Sequence, residues 1–346
     1  MKRAVAGAIF LLVLVVGCNA AARLKVLQAP SSPAASAHGY IPAVESVARP
    51  PFQKGVDVDV YTYPGQNFPM TAAAVVSYVK KLGANSIAIS FPFFMSGPRS
   101  LRVFATKRTP TPGQLASIVQ AAEGAGLYVS LRPLLDEGSL GKSRVLWRPV
   151  NLAAWFGHYW RFLRPYVRMA QANKVPQFVV GAEFSQFGRS PLWNRLDRKV
   201  ASVFTGRLVY SNNDTTNLSR ASGGLVALKG VDLYHPIHPP FLRGWKAFDR
   251  YLPHGAIATE VGIAAVNGAW AKPWVHRWPA SKLNLTMQSR WFTAACKAAM
   301  DTRLGGIYFW ALPFSARPTG PTLKDEGAWA NSPGAAAIAR CYQGHA

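Results

Sequence analysis

The chain predicts a single-domain α/β fold, a (β/α)8 barrel of the TIM type, and three observations carry that prediction. Short apolar, strand-like runs recur eight times, each followed by a helical segment or a gap long enough for one. Such alternation implies parallel pairing, because each parallel neighbour needs a crossover. The part of the chain from about Phe52 onward falls in the size range of one such barrel, typically about 250 residues and often more. Finally, the turn after the first strand reads YTYPGQNFP, without the G-x-G-x-x-G spacing that an open, dinucleotide-binding sheet would want there.

The N-terminus stands apart from the barrel. Lys2 and Arg3 precede an apolar stretch from Ala4 to Gly17, too short to span a bilayer comfortably and laid out as a secretory signal. It ends in Val15-Val16-Gly17-Cys18, which resembles the bacterial lipobox. That resemblance implies removal of residues 1–17 and attachment of lipid to the Cys18 sulfur. The expected location is the bacterial cell envelope, lipid-anchored on the extracytoplasmic side. Asn19, after Cys18, is not the Asp that resembles an inner-membrane retention signal. Residues 18–51 are rich in Ala, Ser and Pro and read as a flexible tether, leaving 52–346 for the barrel.

The barrel elements follow in order. Gly55 to Tyr61 (GVDVDVY) alternates with period two and is the first strand; Thr71 is placed to cap a helix that stops at Gly83. Ser86 to Phe91 is the second strand, with a helix from Pro112 to Gly124 whose proline sits at its start. Leu127 to Arg132 is the third strand, and the amphipathic stretch Leu152 to Asn173 is the strongest helix signal. Gln177 to Glu183 is the fourth, followed by a helix from Pro191 to Phe204. Arg207 to Ser211, Val231 to Tyr234, Ala256 to Glu260 and Gly305 to Trp310 complete the eight.

Composition excludes some functions. The chain carries 39 Lys and Arg against 15 Asp and Glu, a formal charge of +24. These cations are scattered and no run exceeds two, whereas a nucleic-acid binder usually concentrates them in a patch or arm. The reading is a solvated basic surface with attraction to anionic lipid or acidic polysaccharide, and no nucleic-acid partner. His235 and His238, in HPIHPP, lack metal-ligand spacing, so neither a metal nor a cofactor is expected. Cys296 and Cys341 could pair outside the cytoplasm or remain two buried thiols. The protein is expected to act as a monomer.

Two glutamates dominate the functional reading. Glu183 closes the run QFVVGAEF and Glu260 closes GAIATEVGI, in a chain with few carboxylates to spare. A charged side chain at the end of a buried strand must face water, a partner or a ligand. In a barrel the chemistry gathers at the C-terminal strand ends, so residues ending strands four and seven can converge on one mouth. Paired carboxylates across a cleft are what glycosidic-bond cleavage requires.

Further stretches carry a family resemblance: KKLGANSIAISF, LRPLLD, the long segment LWRPVNLAAWFGHYWRFLRPYVRMAQANKVPQFVVGAEF, VYSNN, VDLYHP, TEVG and GIYFWAL. In this order and spacing they resemble glycoside hydrolase family 113, a β-1,4-mannanase family within the large clan of retaining (β/α)8 glycosidases. The resemblance implies a retaining endo-β-glycosidase acting on a β-linked polysaccharide, with Glu183 as general acid/base and Glu260 as nucleophile. It implies carboxyls about 5 Å apart. A non-catalytic glycan-binding barrel is the alternative that loss of either glutamate would have favoured.

Other positions carry over. Tyr234 would hydrogen-bond the nucleophile, and Trp310 would form the aromatic floor under the sugar being cleaved. Arg132, Asp136, Trp147 and Arg148 match positions expected near substrate. Asn212 and Asn213 could donate to sugar hydroxyls. Trp270, Trp274 and Trp278 lie in a loop after strand seven, where Trp274 is the candidate for stacking on successive sugars. Two positions depart from the pattern: Ala182 stands where the clan commonly has Asn before the acid/base, and Leu134 where the family tends to have His. Both leave the sugar unspecified, with mannan and an envelope or exopolysaccharide as alternatives.

Overall fold

The computed structural model describes residues 48–213, 226, 228–275, 277–279 and 282–344. Cys18, the signal and nearly all of the tether lie outside these residues. Eight parallel strands close into a barrel in sequence order: β1 (Gln53–Asp59), β2 (Ser86–Phe93), β3 (Tyr128–Leu135), β4 (Gln177–Ala182), β5 (Arg207–Asn212), β6 (Leu228–Leu233), β7 (Ile257–Val261) and β8 (Gly306–Pro313). β8 returns to β1, with Gln53 opposite Gly306. Every residue of β2, β3 and β4 is buried, as expected for strands with a helix on one face and the barrel interior on the other.

The helices are α1 (Phe68–Lys81), α2 (Pro112–Gly124), the short α3 (Glu137–Leu140), α4 (Leu152–Ala172), α5 (Leu192–Ala201), α6 (Phe241–Asp249), α7 (Leu285–Asp301) and α8 (Pro333–Tyr342). Thr71 does not cap α1. The helix begins earlier, Asn67 accepts from the Met70 amide, and Thr71 is buried inside the first turns. Pro69 supplies no N–H there, so the cap falls where a short polar side chain can still reach a free amide. α2 starts at Pro112 as expected, with Thr111 and Gln114 forming a reciprocal capping box around that proline. α5 is shorter than the expected helix, ending at Ala201. Cys296 on α7 and Cys341 on α8 form a disulfide, which resolves the open choice between pairing and free thiols. No helix among the described residues is long and apolar enough to cross a membrane.

The barrel interior changes character along its axis, and this positions the site. Near the strand N-termini the packing is neutral and polar: Tyr308 donates to Gln53, and the Gln177 amide reaches Ser130 Oγ at 3.1 Å. Ala88, Val179, Val209, Ile257 and the Tyr308 ring form an apolar cluster. Towards the strand C-termini the interior becomes charged, with Asp57, Arg132, Asp232 and Glu260 all buried. The alternation in β1 therefore does not mark a solvent-facing strand. Its aspartates turn into the barrel and its valines face the helices.

Candidate active site

Glu183 follows β4 directly and has a left-handed backbone, φ 59°. That conformation is uncommon for a residue with a side chain and is held here by its neighbours. The Glu183 amide donates to Ser211 O at 2.9 Å, and the Ser185 amide donates to Glu183 O at 2.8 Å. Just upstream, Gly181 is required by close packing: a Cβ there would lie 2.5 Å from the Trp193 ring. The resulting turn aims the Glu183 carboxyl into the mouth, where Arg144 Nη2 meets its Oε2 at 2.7 Å. Arg144 comes from the loop after α3 and is itself anchored. Its backbone amide donates to Glu137 Oε1 at 2.7 Å, and its Nη1 donates to Leu135 O at 3.2 Å. Burial pushes the Glu183 carboxyl above the usual carboxylate range; Arg144 pulls it back and the charge of Glu260 adds to the rise.

Glu260 lies within the extended backbone of β7 and is held from two sides. Arg132 Nη1 forms an ion pair with its Oε1, and the Tyr234 hydroxyl donates to its Oε2 at 2.7 Å. The same guanidinium reaches Asp232 Oδ2 at 2.8 Å and Asp57 Oδ2 at 3.3 Å. Ser211 and Thr259 hydroxyls also donate to Asp232, at 2.7 and 2.8 Å. One cation thus serves three buried carboxyls, more negative charge than it can neutralise in a dry interior. Such a setting favours protonation of the carboxyls. Burial, opposed by Arg132, pushes Asp57 up to about 8 and Asp232 well above the usual range.

A cavity of about 560 Å³ opens over this arrangement, lined by Glu183, Glu260, Arg144, Tyr234, Asn213 and Trp274 among others. Trp274 is half exposed at its rim. The other residues singled out in the sequence lie elsewhere. Arg132 is fully buried, so it holds Glu260 from below and is not positioned to touch substrate. Trp310, whose peptide to Ala311 is cis, is part-buried at the end of β8 with the Arg132 guanidinium 5.6 Å from its ring centre. Asp136 caps α3 through the Ser139 amide and accepts from the Tyr61 hydroxyl at 2.9 Å. Trp147 is 1% exposed, packed on Trp155 and Phe187 with its indole N–H on Pro98 O, and is a core residue. Arg148 is exposed and donates to Gln186 O at 3.4 Å. Asn212 is buried and donates to Gly230 O at 3.2 Å; its neighbour Asn213 is the one on the cavity wall. Of the three loop tryptophans, Trp270 and Trp278 pack against the core.

Sequence reasoning missed Arg144, Asp57 and Asp232. VDVDV and VDLYHP held a signal for the aspartates, since a barrel strand that alternates must send one set inward. Ala182 is buried and offers no side-chain donor beside Glu183, and Leu134 is likewise buried and apolar. His235 stacks on Phe248, ring centres 4.4 Å apart. Among the described residues, no group of three His, Cys, Asp or Glu is placed to hold a metal ion.

Comparison with known proteins adds a family. The profile of Glycoside Hydrolase Family 113 matches residues 61–326. The fold is similar to that of a GH113 β-mannanase from Alicyclobacillus acidocaldarius in complex with ManMIm, at 21% identity and a TM-score of 0.71, over 88% of this chain and 100% of that one. A GH113 β-1,4-mannanase solved as a complex is similar at 16% identity and TM-score 0.71, over 84% and 99%. A family 5 glycoside hydrolase from Prevotella bryantii shares the barrel more distantly, at 12% identity and TM-score 0.54, over 84% and 96%. No curated protein matches the chain.

Proposed function

The chain belongs to glycoside hydrolase family 113 and is a glycoside hydrolase, and from that premise we propose that it cuts a β-linked polysaccharide internally, with retention, using Glu183 and Glu260. In the first step the Glu260 carboxylate attacks the anomeric carbon while Glu183 gives its proton to the departing glycosidic oxygen. A glycosyl ester on Glu260 results. In the second step Glu183, now a carboxylate, takes a proton from water, which displaces Glu260 and restores both groups. The observation that carries this reading is the unequal setting of the two carboxyls. Both oxygens of Glu260 are met by positively charged or hydroxyl donors that fix its direction. Burial favours a proton on Glu183.

β-1,4-Mannan is the first substrate to test, because two of the similar structures are β-mannanases. Ala182 and Leu134 keep other envelope polysaccharides open. The lipobox-like N-terminus supports attachment through Cys18 to a membrane, and a disulfide on the barrel is in keeping with export. The test is incubation of the purified protein with mannans, glucans, xylans and acidic exopolysaccharides beside its Glu260→Ala variant. We expect turnover of at least one, abolished in the variant. No turnover of any, or equal turnover by the variant, removes the reading. Glu183→Ala should lose most on substrates with poor leaving groups, which need protonation.

A further inference from the structure

The alternation of strand and helix puts the helix C-termini and the strand N-termini at one end of the barrel, opposite the mouth. Cations that are scattered along the sequence converge there. Lys80 and Lys81 lie in the last turn of α1, Arg198 and Lys199 in the last turn of α5, and Lys174 follows α4. Arg207 opens β5, Lys229 stands near the start of β6, and Arg303 precedes β8. All are exposed, and none forms an ion pair among the described residues. We propose that this end of the barrel is a docking surface for an anionic phospholipid bilayer, which turns the mouth away from the membrane. The docking goes beyond the lipid anchor and holds whether or not Cys18 carries lipid.

Charge complementarity at this end is undiluted. Glu123, Asp197 and Asp249, on the helices that lead to it, are buried. Asp301 is the exposed carboxylate there among the described residues, and it is paired with Lys246 at 2.6 Å. The mouth also has exposed cations, such as Arg99, Lys107 and Lys324, but Asp136, Glu137 and Asp325 stand at that same end. The difference matters because attraction to an anionic bilayer fades within a Debye length, about 8 Å at physiological ionic strength. Cations therefore add up only where they share a face. Each Lys or Arg held near the surface strengthens binding about fivefold.

The point where the chain enters favours the same face. Residues 48–52 lead into β1 at this end, with the Arg49 guanidinium beside Gly305 at the entry to β8. Residues 1–47, which include the apolar stretch and Cys18, thus join the barrel at its basic end. Tyr251 follows Arg250, the residue that closes α6, and is 80% exposed. An aromatic body with a polar tip suits the boundary between lipid headgroups and acyl chains. Docking by this end leaves the mouth open to a polysaccharide approaching from outside the membrane.

The test uses the full chain carrying Cys18→Ser, which has no sulfur for lipid, so its outcome is separate from that of the anchor. Binding is measured by co-sedimentation with phosphatidylcholine vesicles, with and without phosphatidylglycerol, at physiological ionic strength. Whatever residues 4–17 contribute is common to every variant. We expect phosphatidylglycerol-dependent binding that falls about tenfold or more in the triple variant Lys174→Glu, Lys229→Glu, Arg303→Glu. The mouth-side triple Arg99→Glu, Lys107→Glu, Lys324→Glu makes the same change in net charge and should stay within about twofold of the parent. Equal loss in both triples, or no dependence on phosphatidylglycerol, overturns the proposal. Binding to an acidic polysaccharide but not to vesicles overturns it in favour of a glycan partner. A second measurement avoids charge reversal, in case the first triple fails to fold. Lys174→Cys and Lys324→Cys, each labelled with a fluorophore, are bound to vesicles containing brominated lipid. Stronger quenching at position 174 supports the docking, and equal or stronger quenching at 324 overturns it.

Discussion

The two sides of the mouth hold their glutamates by opposite means. On the β7 side Glu260 sits on regular strand backbone, and its surroundings are rigid: one buried guanidinium, one tyrosine and two further carboxyls, all from barrel strands or their ends. On the β4 side Glu183 sits on a left-handed residue, and the cation paired with it, Arg144, comes from a loop. A nucleophile needs one fixed direction of attack; an acid/base must exchange its proton in every cycle. The difference in backbone and anchorage is what the proposed division of tasks between two like residues would need.

Removing the cation on the rigid side should do most damage. Arg132→Met leaves three buried carboxyls without a counter-charge, and breaking a buried pair this way typically costs about 3–5 kcal/mol. Denaturant unfolding should show that loss, together with activity at background. A variant as stable and active as the parent would break the contrast. Tyr234→Phe removes one donor to a charged acceptor, worth about 1.5–3 kcal/mol, so kcat should fall roughly ten- to a hundredfold with little change in stability.

Arg144→Gln probes the loop side. In the proposed mechanism the first step needs Glu183 protonated, so its pKa would set the basic limb of kcat/KM. Arg144 lowers that pKa, and without it the limb should move to higher pH. A limb that stays in place or moves down would contradict the pairing. The smallest effect concerns stability. Folding raises Asp57 to about 8 and Asp59 to about 7, above their unfolded value near 3.9. Between those values the folded chain holds more protons, so raising the pH favours unfolding. The stabilisation is complete below about pH 4 and is lost as pH rises through 7 to 8. Tm should therefore fall between pH 5 and 8.5, and the slope should be shallower in Asp57→Asn. A Tm that rises over that range would count against it.

Much of the fold was legible because strands buried on both faces write themselves as apolar runs, and helices between them declare a proline start at Pro112 and an amphipathic stripe in α4; the cap of α1 was misplaced at Thr71. The four positions Glu183, Glu260, Tyr234 and Trp274 were legible as residues at strand ends or in a long mouth loop, and the structure brings them to one cavity. Arg144 was not. The loop containing it drew attention through Trp147 and Arg148, but the 3₁₀ turn Arg144–Leu146 sends Arg144 to the cavity wall and Trp147 into the core. Asp57 and Asp232 were hidden for another reason. Alternation shows that two faces differ, and only closure of the barrel shows that the polar face is the inner one.

The division of roles between the two glutamates is tested most directly by trapping. The protein would be treated with a 2-deoxy-2-fluoroglycosyl fluoride of the sugar it hydrolyses, then digested and analysed by mass spectrometry. Double displacement predicts one fluorosugar bonded to the peptide containing Glu260, and none in Glu260→Ala. Label on Glu183 would contradict the assignment, and a product of inverted configuration would contradict the mechanism.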